Sequence, residues 1–261
     1  VKGIAIATII SQLVSFLVIL FKVLKNERVR KITSEYLAPK FLFFKNIFFQ
    51  SMPISVSICG YALAAAIIFT YVGQSGEYAV AGYGVGTRIE QVVLLPILGI
   101  NTAIISIIAQ NYGANNLFRI KETYFTAIKY AFIIMITAGT LVFLSASVIT
   151  SFFSSDPEVI EYGKRYLKIS AFVLPAYPVF FLSNGFFMAL KKSENAMISN
   201  FFRNVLNPIA VFYIAKYINA SFETFFWLWV GINWFFSISY FFIIIYYFKI
   251  KLNKSSTVVH P

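Results

Sequence analysis

The chain has 261 residues, of which 59% are hydrophobic and only 12% charged, with a formal net charge of +12. That balance excludes a water-soluble domain, because seven long apolar runs fill almost the whole sequence and a bilayer core needs only about 20 consecutive apolar residues per helix. The excess of bases is not a nucleic-acid footprint either: it sits in short loops, and no soluble module carries a basic face.

The runs occupy residues 3–24, 41–72, 79–111, 124–153, 166–190, 196–215 and 222–248. They are apolar on every side rather than along one stripe, and lack the short alternating segments of barrel strands. In hydrocarbon every backbone amide must find its partner internally, so helices remain. The fold class is all-α, a polytopic bundle of about seven transmembrane helices. Run 3–24 follows Val1 and Lys2 with no initiator Met and no basic n-region or small-residue cleavage site, and is read as one more span of a longer membrane protein. Run 41–72 carries Gln50, Pro53, the lone cysteine Cys59 and Gly60, and is expected to tilt and bend. One cysteine excludes an internal disulfide or a cysteine-based zinc cluster.

Run 79–111 holds Gly82, Gly84 and Gly86, then Arg88 and Glu90, then Pro96 and Gly99. Its glycines let neighbouring helices approach closely. The spacing is wrong for a dinucleotide fingerprint and no strand precedes it. Ser155-Asp156-Pro157-Glu158 reads as a helix start. The segment 159–168 is amphipathic, with Lys164, Arg165 and Lys168, and leads into a span broken by Pro175 and Pro178; the sixth run carries Pro208. Interrupted membrane helices point to a transport site, although each proline alone is as well explained by packing.

Loop charges orient the chain. Bases cluster after the first run (Lys25, Arg28, Arg30, Lys31, Lys40), the third (Arg119, Lys121), the fifth (Lys191, Lys192) and the last (Lys249, Lys251, Lys254). The alternate loops hold Glu77, then Asp156, Glu158 and Glu161. By the positive-inside rule Val1 lies outside and the carboxyl end is cytoplasmic, in a multi-pass protein of the plasma or inner membrane.

Polar groups at membrane depth are the candidate cavity or gate residues: Gln50, Arg88, Glu90, Asn184, Arg203 and Asn207, with Pro53, Pro96, Pro175, Pro178 and Pro208 as candidate helix breaks. A charge in lipid is costly and marks function by default, against bracing or snorkelling. Arg88 and Glu90, two residues apart, face different ways and need separate partners. Catalysis lacks its parts: no His or Asp lies within a span, and Glu90 is the embedded carboxylate. No catalytic residue, metal site or cofactor is expected, and no nucleic-acid partner.

Three stretches carry a resemblance: Gly82-Tyr-Gly-Val-Gly-Thr-Arg-Ile-Glu with Leu95-Pro96-Ile-Leu-Gly99-Ile-Asn-Thr-Ala, then Gln110-Asn-Tyr-Gly113-Ala-Asn-Asn-Leu-Phe-Arg119-Ile, and finally Gly185-Phe-Phe-Met-Ala-Leu-Lys-Lys-Ser with Arg203-Asn-Val-Leu-Asn-Pro208. These resemble the eighth, tenth and eleventh helices of multidrug and toxic compound extrusion (MATE) transporters, over residues 41–248. The family often has glycine where Lys191 stands.

The resemblance implies one six-helix lobe of a two-lobe, twelve-helix transporter. Residues 1–25 would be the last helix of the amino lobe, 26–40 a cytoplasmic linker, 41–250 the carboxyl lobe and 251–261 a cytoplasmic tail. It implies an antiporter exporting organic cations, drugs or metabolites in exchange for Na⁺ or H⁺, with a small-molecule substrate, the lipid bilayer and the absent amino lobe as partners. Some branches bind the coupling ion on acids of the seventh and tenth helices. Residues 50–70 and 171–190 contain none, which places the coupling acid in the amino lobe. Two other readings stand: a lipid-linked saccharide flippase of the same superfamily, which needs several cations in its cavity, and a non-transporting membrane scaffold or sensor.

Overall fold

The structure is a computed structural model that describes residues 2–25 and 41–249; within these, several side chains before residue 59, those of Gln50 and Pro53 among them, fall outside the description. The chain divides into two compact units, Val1–Phe49 and Gln50–Pro261. The first holds helix α1 (Lys2–Leu24), whose side chains are exposed wherever they are described. Helix α2 (Phe41–Gly73) enters the second unit at Gln50.

The second unit continues with α3 (Glu77–Gly113), α4 (Leu117–Phe153), α5 (Pro157–Ser170), α6 (Tyr177–Ala189), α7 (Ser193–Phe201), α8 (Asn207–Tyr217) and α9 (Phe222–Tyr247). All the regular structure among the described residues is helical. The chain is an all-α membrane bundle: α3, α4, the α5–α6 pair and α9 are each long and apolar enough to cross a bilayer, and Ile9–Leu24 and Cys59–Gly73 are shorter apolar helices. The run at 196–215 is divided between α7 and α8, so it contributes no single long helix.

Local signals set the helix ends. Asp156 caps α5 by accepting from the Glu158 and Val159 amides, with Pro157 in the first turn, where its missing N–H costs nothing. Asn116 and Ser221 cap α4 and α9 in the same way. In α4 one stripe is buried, Ile120, Tyr124, Ala131, Met135, Gly139, Val142, Ala146 and Thr150, at the three- and four-residue spacing of one helix face.

The α5–α6 pair is the centre of the unit and much the most enclosed of the spans. It breaks at a 3₁₀ turn, Leu174–Ala176, which contains Pro175 and is followed by Pro178 in the first turn of α6. Carbonyls at the break find side chains on α9: Trp234 Nε1 donates to the Phe172 carbonyl at 2.8 Å and Ser237 Oγ to that of Ala176 at 3.1 Å. That is how a membrane helix tolerates prolines without leaving backbone groups stranded in hydrocarbon. A second break follows α7, where a π turn, Phe202–Leu206, leads into α8 with Pro208 in its first turn. Pro96, by contrast, lies inside a continuous α3.

Small residues bring α3 against α5. A Cβ on Gly82 would stand 2.7 Å from the Gly163 amide nitrogen, so the two backbones touch. One turn on, a Cβ on Gly86 would meet the Tyr166 ring at 2.2 Å. Gly82, Gly86 and Glu90, four residues apart, share one face of α3, and that face delivers Glu90 to the interior.

Candidate functional site

A polar cavity of about 170 Å³ in the second unit lies among α2, α3, α5, α6, the π turn and α9; its lining includes Tyr61, Glu90, Gln91, Tyr166, Tyr177 and Arg203. Glu90 is fixed by two tyrosines. Tyr166 donates to its Oε2 and Tyr177 to its Oε1, the latter at 2.5 Å. The close approach at Gly86 lays the Tyr166 ring against α3 with its hydroxyl one turn further along, at the carboxylate. Tyr177 opens α6 just after the 3₁₀ turn, so the proline break aims the second hydroxyl. Charge-assisted hydrogen bonds of this kind are short and about twice as strong as neutral ones. Glu90 therefore ties α3 to both parts of the broken central helix.

Arg203 belongs to the π turn and is only 9% exposed. Its guanidinium carbon lies 4.1 Å from the Phe180 ring centroid, 4.9 Å from that of Tyr177 and 5.6 Å from that of Phe181. Its Nε donates to Asn233 Oδ1 at 3.3 Å, and Asn233 donates in turn to the Trp229 carbonyl at 2.8 Å. A desolvated guanidinium over aromatic faces is held by their quadrupoles. Arg203 and Glu90 form none of the ion pairs seen among the described residues; Tyr177 links them, its hydroxyl on the acid and its ring beneath the base. The site thus joins one carboxylate and one guanidinium through aromatic groups. Among the described residues no cluster of three His, Cys, Asp or Glu is present to hold a metal ion.

The sequence candidates separate. Glu90 and Arg203 meet at this cavity. Arg88 is exposed on another face of α3, in keeping with the two-residue offset. Asn184 is buried away from the cavity; it donates to the Phe180 carbonyl at 3.0 Å and accepts from Tyr240 at 3.3 Å, joining α6 to α9. Asn207 is fully enclosed, and among the described residues neither of its side-chain polar atoms has a hydrogen-bond partner. The side chains of Gln50 and Pro53 lie outside the described residues. Sequence reasoning missed Tyr166, Tyr177 and Asn233. Tyr177 had a signal, standing between two prolines, and Asn233 is a lone amide in an apolar helix.

In the amphipathic lead-in, Glu161 pairs with Lys164 at 2.9 Å and with Arg165 at 3.0 Å, and Arg165 reaches Glu223 at 3.3 Å. These groups are about a third to a half exposed, and such pairs contribute between about 0 and 1 kcal/mol each.

The MatE family model matches residues 53–213. Over 231 residues the chain is 26% identical to the probable multidrug resistance protein YpnP of Bacillus subtilis, covering 88% of this chain and 49% of the relative. It is 24% identical over 198 residues to the multidrug export protein MepA of Staphylococcus haemolyticus, covering 76% and 44%. A further relative, 25% identical over 158 residues, is named FAD transporter, from Shewanella oneidensis, with 60% and 35% covered. The chain thus spans about half the length of the first two of these relatives. A crystal structure of MATE in complex with MaL6 superposes with a TM-score of 0.84 at 21% identity over 97% of this chain and 56% of that one. A MOP superfamily transporter from Pyrococcus furiosus gives 0.76 at 23% identity, over 84% and 50%.

Proposed function

The chain belongs to the MatE family, and we propose that it forms the carboxyl-terminal half of a secondary efflux antiporter whose amino-terminal half completes the same protein. The observation that carries the reading is the match itself: most of this chain aligns with half of transporters named for multidrug resistance or export. The family is one of transporters and not of enzymes, as the lack of catalytic groups at depth led one to expect.

The transported molecule is an organic cation, drug or metabolite, bound in the cleft between the halves. The polar cavity within this half is too small to compete for it. At about 170 Å³ it falls below the roughly 300–1,000 Å³ of small-molecule sites. Its groups brace the half, as Glu90 is taken up by two tyrosine hydroxyls and Arg203 by three rings and Asn233. The coupling ion, Na⁺ or H⁺, binds on an acid of the amino half, since residues 50–70 and 171–190 offer none. Alternating access is a rocking of one half against the other, with the carboxyl end in the cytoplasm. A flippase would need several free cations for a pyrophosphate. Arg203 is instead committed to aromatic faces beside a carboxylate, which favours the antiporter.

The test is expression of the full-length gene in a strain stripped of its efflux pumps. Ethidium accumulation falls and tolerance to cationic drugs rises; a flavin joins the panel because one relative is named for FAD. Unchanged accumulation of every compound contradicts the reading.

A further inference from the structure

A hollow larger than the polar cavity lies elsewhere in the second unit. It is a groove of about 480 Å³ between α6, α7 and α9, walled by Phe187, Ile198, Phe202, Phe235 and Ile243. A second hollow of about 440 Å³ shares Ile243 and Tyr246 with it and runs on along α9 to Lys249. The walls are apolar and partly open. Phe235 is 66% exposed, Phe242 64% and Tyr246 65%.

A cation stands against the groove's wall at Tyr247. Lys192 donates from Nζ to Tyr247 Oη at 2.5 Å and stands 4.8 Å over that ring. Lys191 beside it is exposed, and so is Lys249. Glu194, in the first turn of α7, is the carboxylate nearest in sequence, and none of the ion pairs among the described residues involves these four groups. Tyr246 and Tyr247 belong to that wall, and tyrosines are common at the level of lipid headgroups. Lysines at a helix end there extend their amines toward the headgroup layer.

The backbone adds an independent sign. Lys191 follows the end of α6 with φ of 58°, a left-handed conformation that glycine adopts without penalty and lysine does not. Its amide donates to the Met188 carbonyl and that of Lys192 to the Phe187 carbonyl, the helix-ending pattern in which glycine is usual. An amine stands at the one position of this turn where the fold would prefer no side chain at all.

A cationic substrate does not suit this groove, because the Arg203 guanidinium in its wall, Lys192 against its lining residue Tyr247 and Lys249 at the end of the adjoining hollow repel it. An apolar channel with these bases along it fits an amphiphile of opposite charge. We propose that the groove binds one anionic phospholipid of the surrounding bilayer, an acyl chain lying between α7 and α9 and the headgroup phosphate bound by Lys191 and Lys192. Basic pockets between membrane helices take anionic headgroups in this way. Because Arg203 lines both this groove and the polar cavity, the bound lipid packs against a residue that holds the interior together. The inference stands on membrane residence alone and is independent of the transported substrate.

The experiment uses the full-length protein in nanodiscs of phosphatidylcholine and phosphatidylglycerol, with retained lipid read by native mass spectrometry. The wild type keeps one phosphatidylglycerol in preference to phosphatidylcholine. Lys191→Gly, which eases the turn and leaves the fold intact, lowers that preference about fivefold, and Lys191→Gly with Lys192→Gln abolishes it, at about fivefold per lysine. Ser239→Trp, which fills the groove, lowers retention of both lipids. A phosphatidylglycerol with a photoreactive acyl chain labels α7 and α9. Equal retention of the two lipids by the wild type, an unchanged preference in the double variant, or labels that avoid α7 and α9 because the amino half covers them, each overturns the proposal.

Discussion

Arg203→Ala is the perturbation with the clearest expected consequence. The guanidinium is 9% exposed, stacked 4.1 Å from Phe180 and bonded to Asn233. Removing it forfeits about 2 kcal/mol of desolvated cation–π attraction and about 2 kcal/mol of charged hydrogen bonding. It also relieves about 3 kcal/mol of burying a cation at membrane depth, and opens a void beside Phe180 costing about 1–2 kcal/mol. The net loss is about 2–3 kcal/mol, or about 4–12 °C in Tm for a unit of this size. Arg203→Lys keeps a charge but not the flat face, and loses about as much. Arg203→Leu fills the space without a charge and recovers most of the stability. The assay is thermal unfolding of the full-length protein in detergent, with efflux normalised to surface expression. Alanine at wild-type Tm and wild-type efflux refutes the buried placement and returns Arg203 to a snorkelling role.

Gly82→Ala puts a methyl 2.7 Å from the Gly163 backbone and costs about 1–3 kcal/mol, whereas Gly84→Ala, with nothing within 4 Å, is silent; equal Tm values for the two dismiss the α3–α5 contact. Tyr166→Phe and Tyr177→Phe each remove one donor to Glu90 and cost about 1.5–3 kcal/mol. Because both serve one carboxylate, their double-mutant cycle shows a coupling of at least about 0.5 kcal/mol, and strict additivity contradicts a shared site. Lys191→Gly raises stability by about 1 kcal/mol and Tm by about 2–4 °C, while Lys191→Ala does not, since only glycine is free at a φ of 58°.

The breaks in the central helix and before α8 are legible in the sequence because proline removes a backbone donor wherever it stands, and Pro175, Pro178 and Pro208 each mark one. Pro96 shows the limit of the rule, as α3 runs through it. The two charges of the polar cavity are legible because lipid makes any charge conspicuous. Their partners are not. Tyr166 and Tyr177 lie 76 and 87 residues from Glu90, among 16 tyrosines and 30 phenylalanines whose common use is to face lipid. Only the Gly82–Gly163 contact and the turn after Pro175 decide which of them point inward. Sequence position leaves Arg203 divided between snorkelling and bracing. The π turn, which no local pattern announces, swings it under the rings of α6.

The central claim, that this chain is one half of a coupled exporter, is tested most directly in proteoliposomes under an imposed Na⁺ or H⁺ gradient. One set holds this chain alone and the other holds it joined to its amino-terminal half. The account predicts gradient-driven movement of ethidium, or of another compound from the efflux panel, in the joined protein and none with the single chain, whose half of the cleft has no facing wall. Full transport by the chain alone, or a joined protein that ignores both gradients, would contradict it.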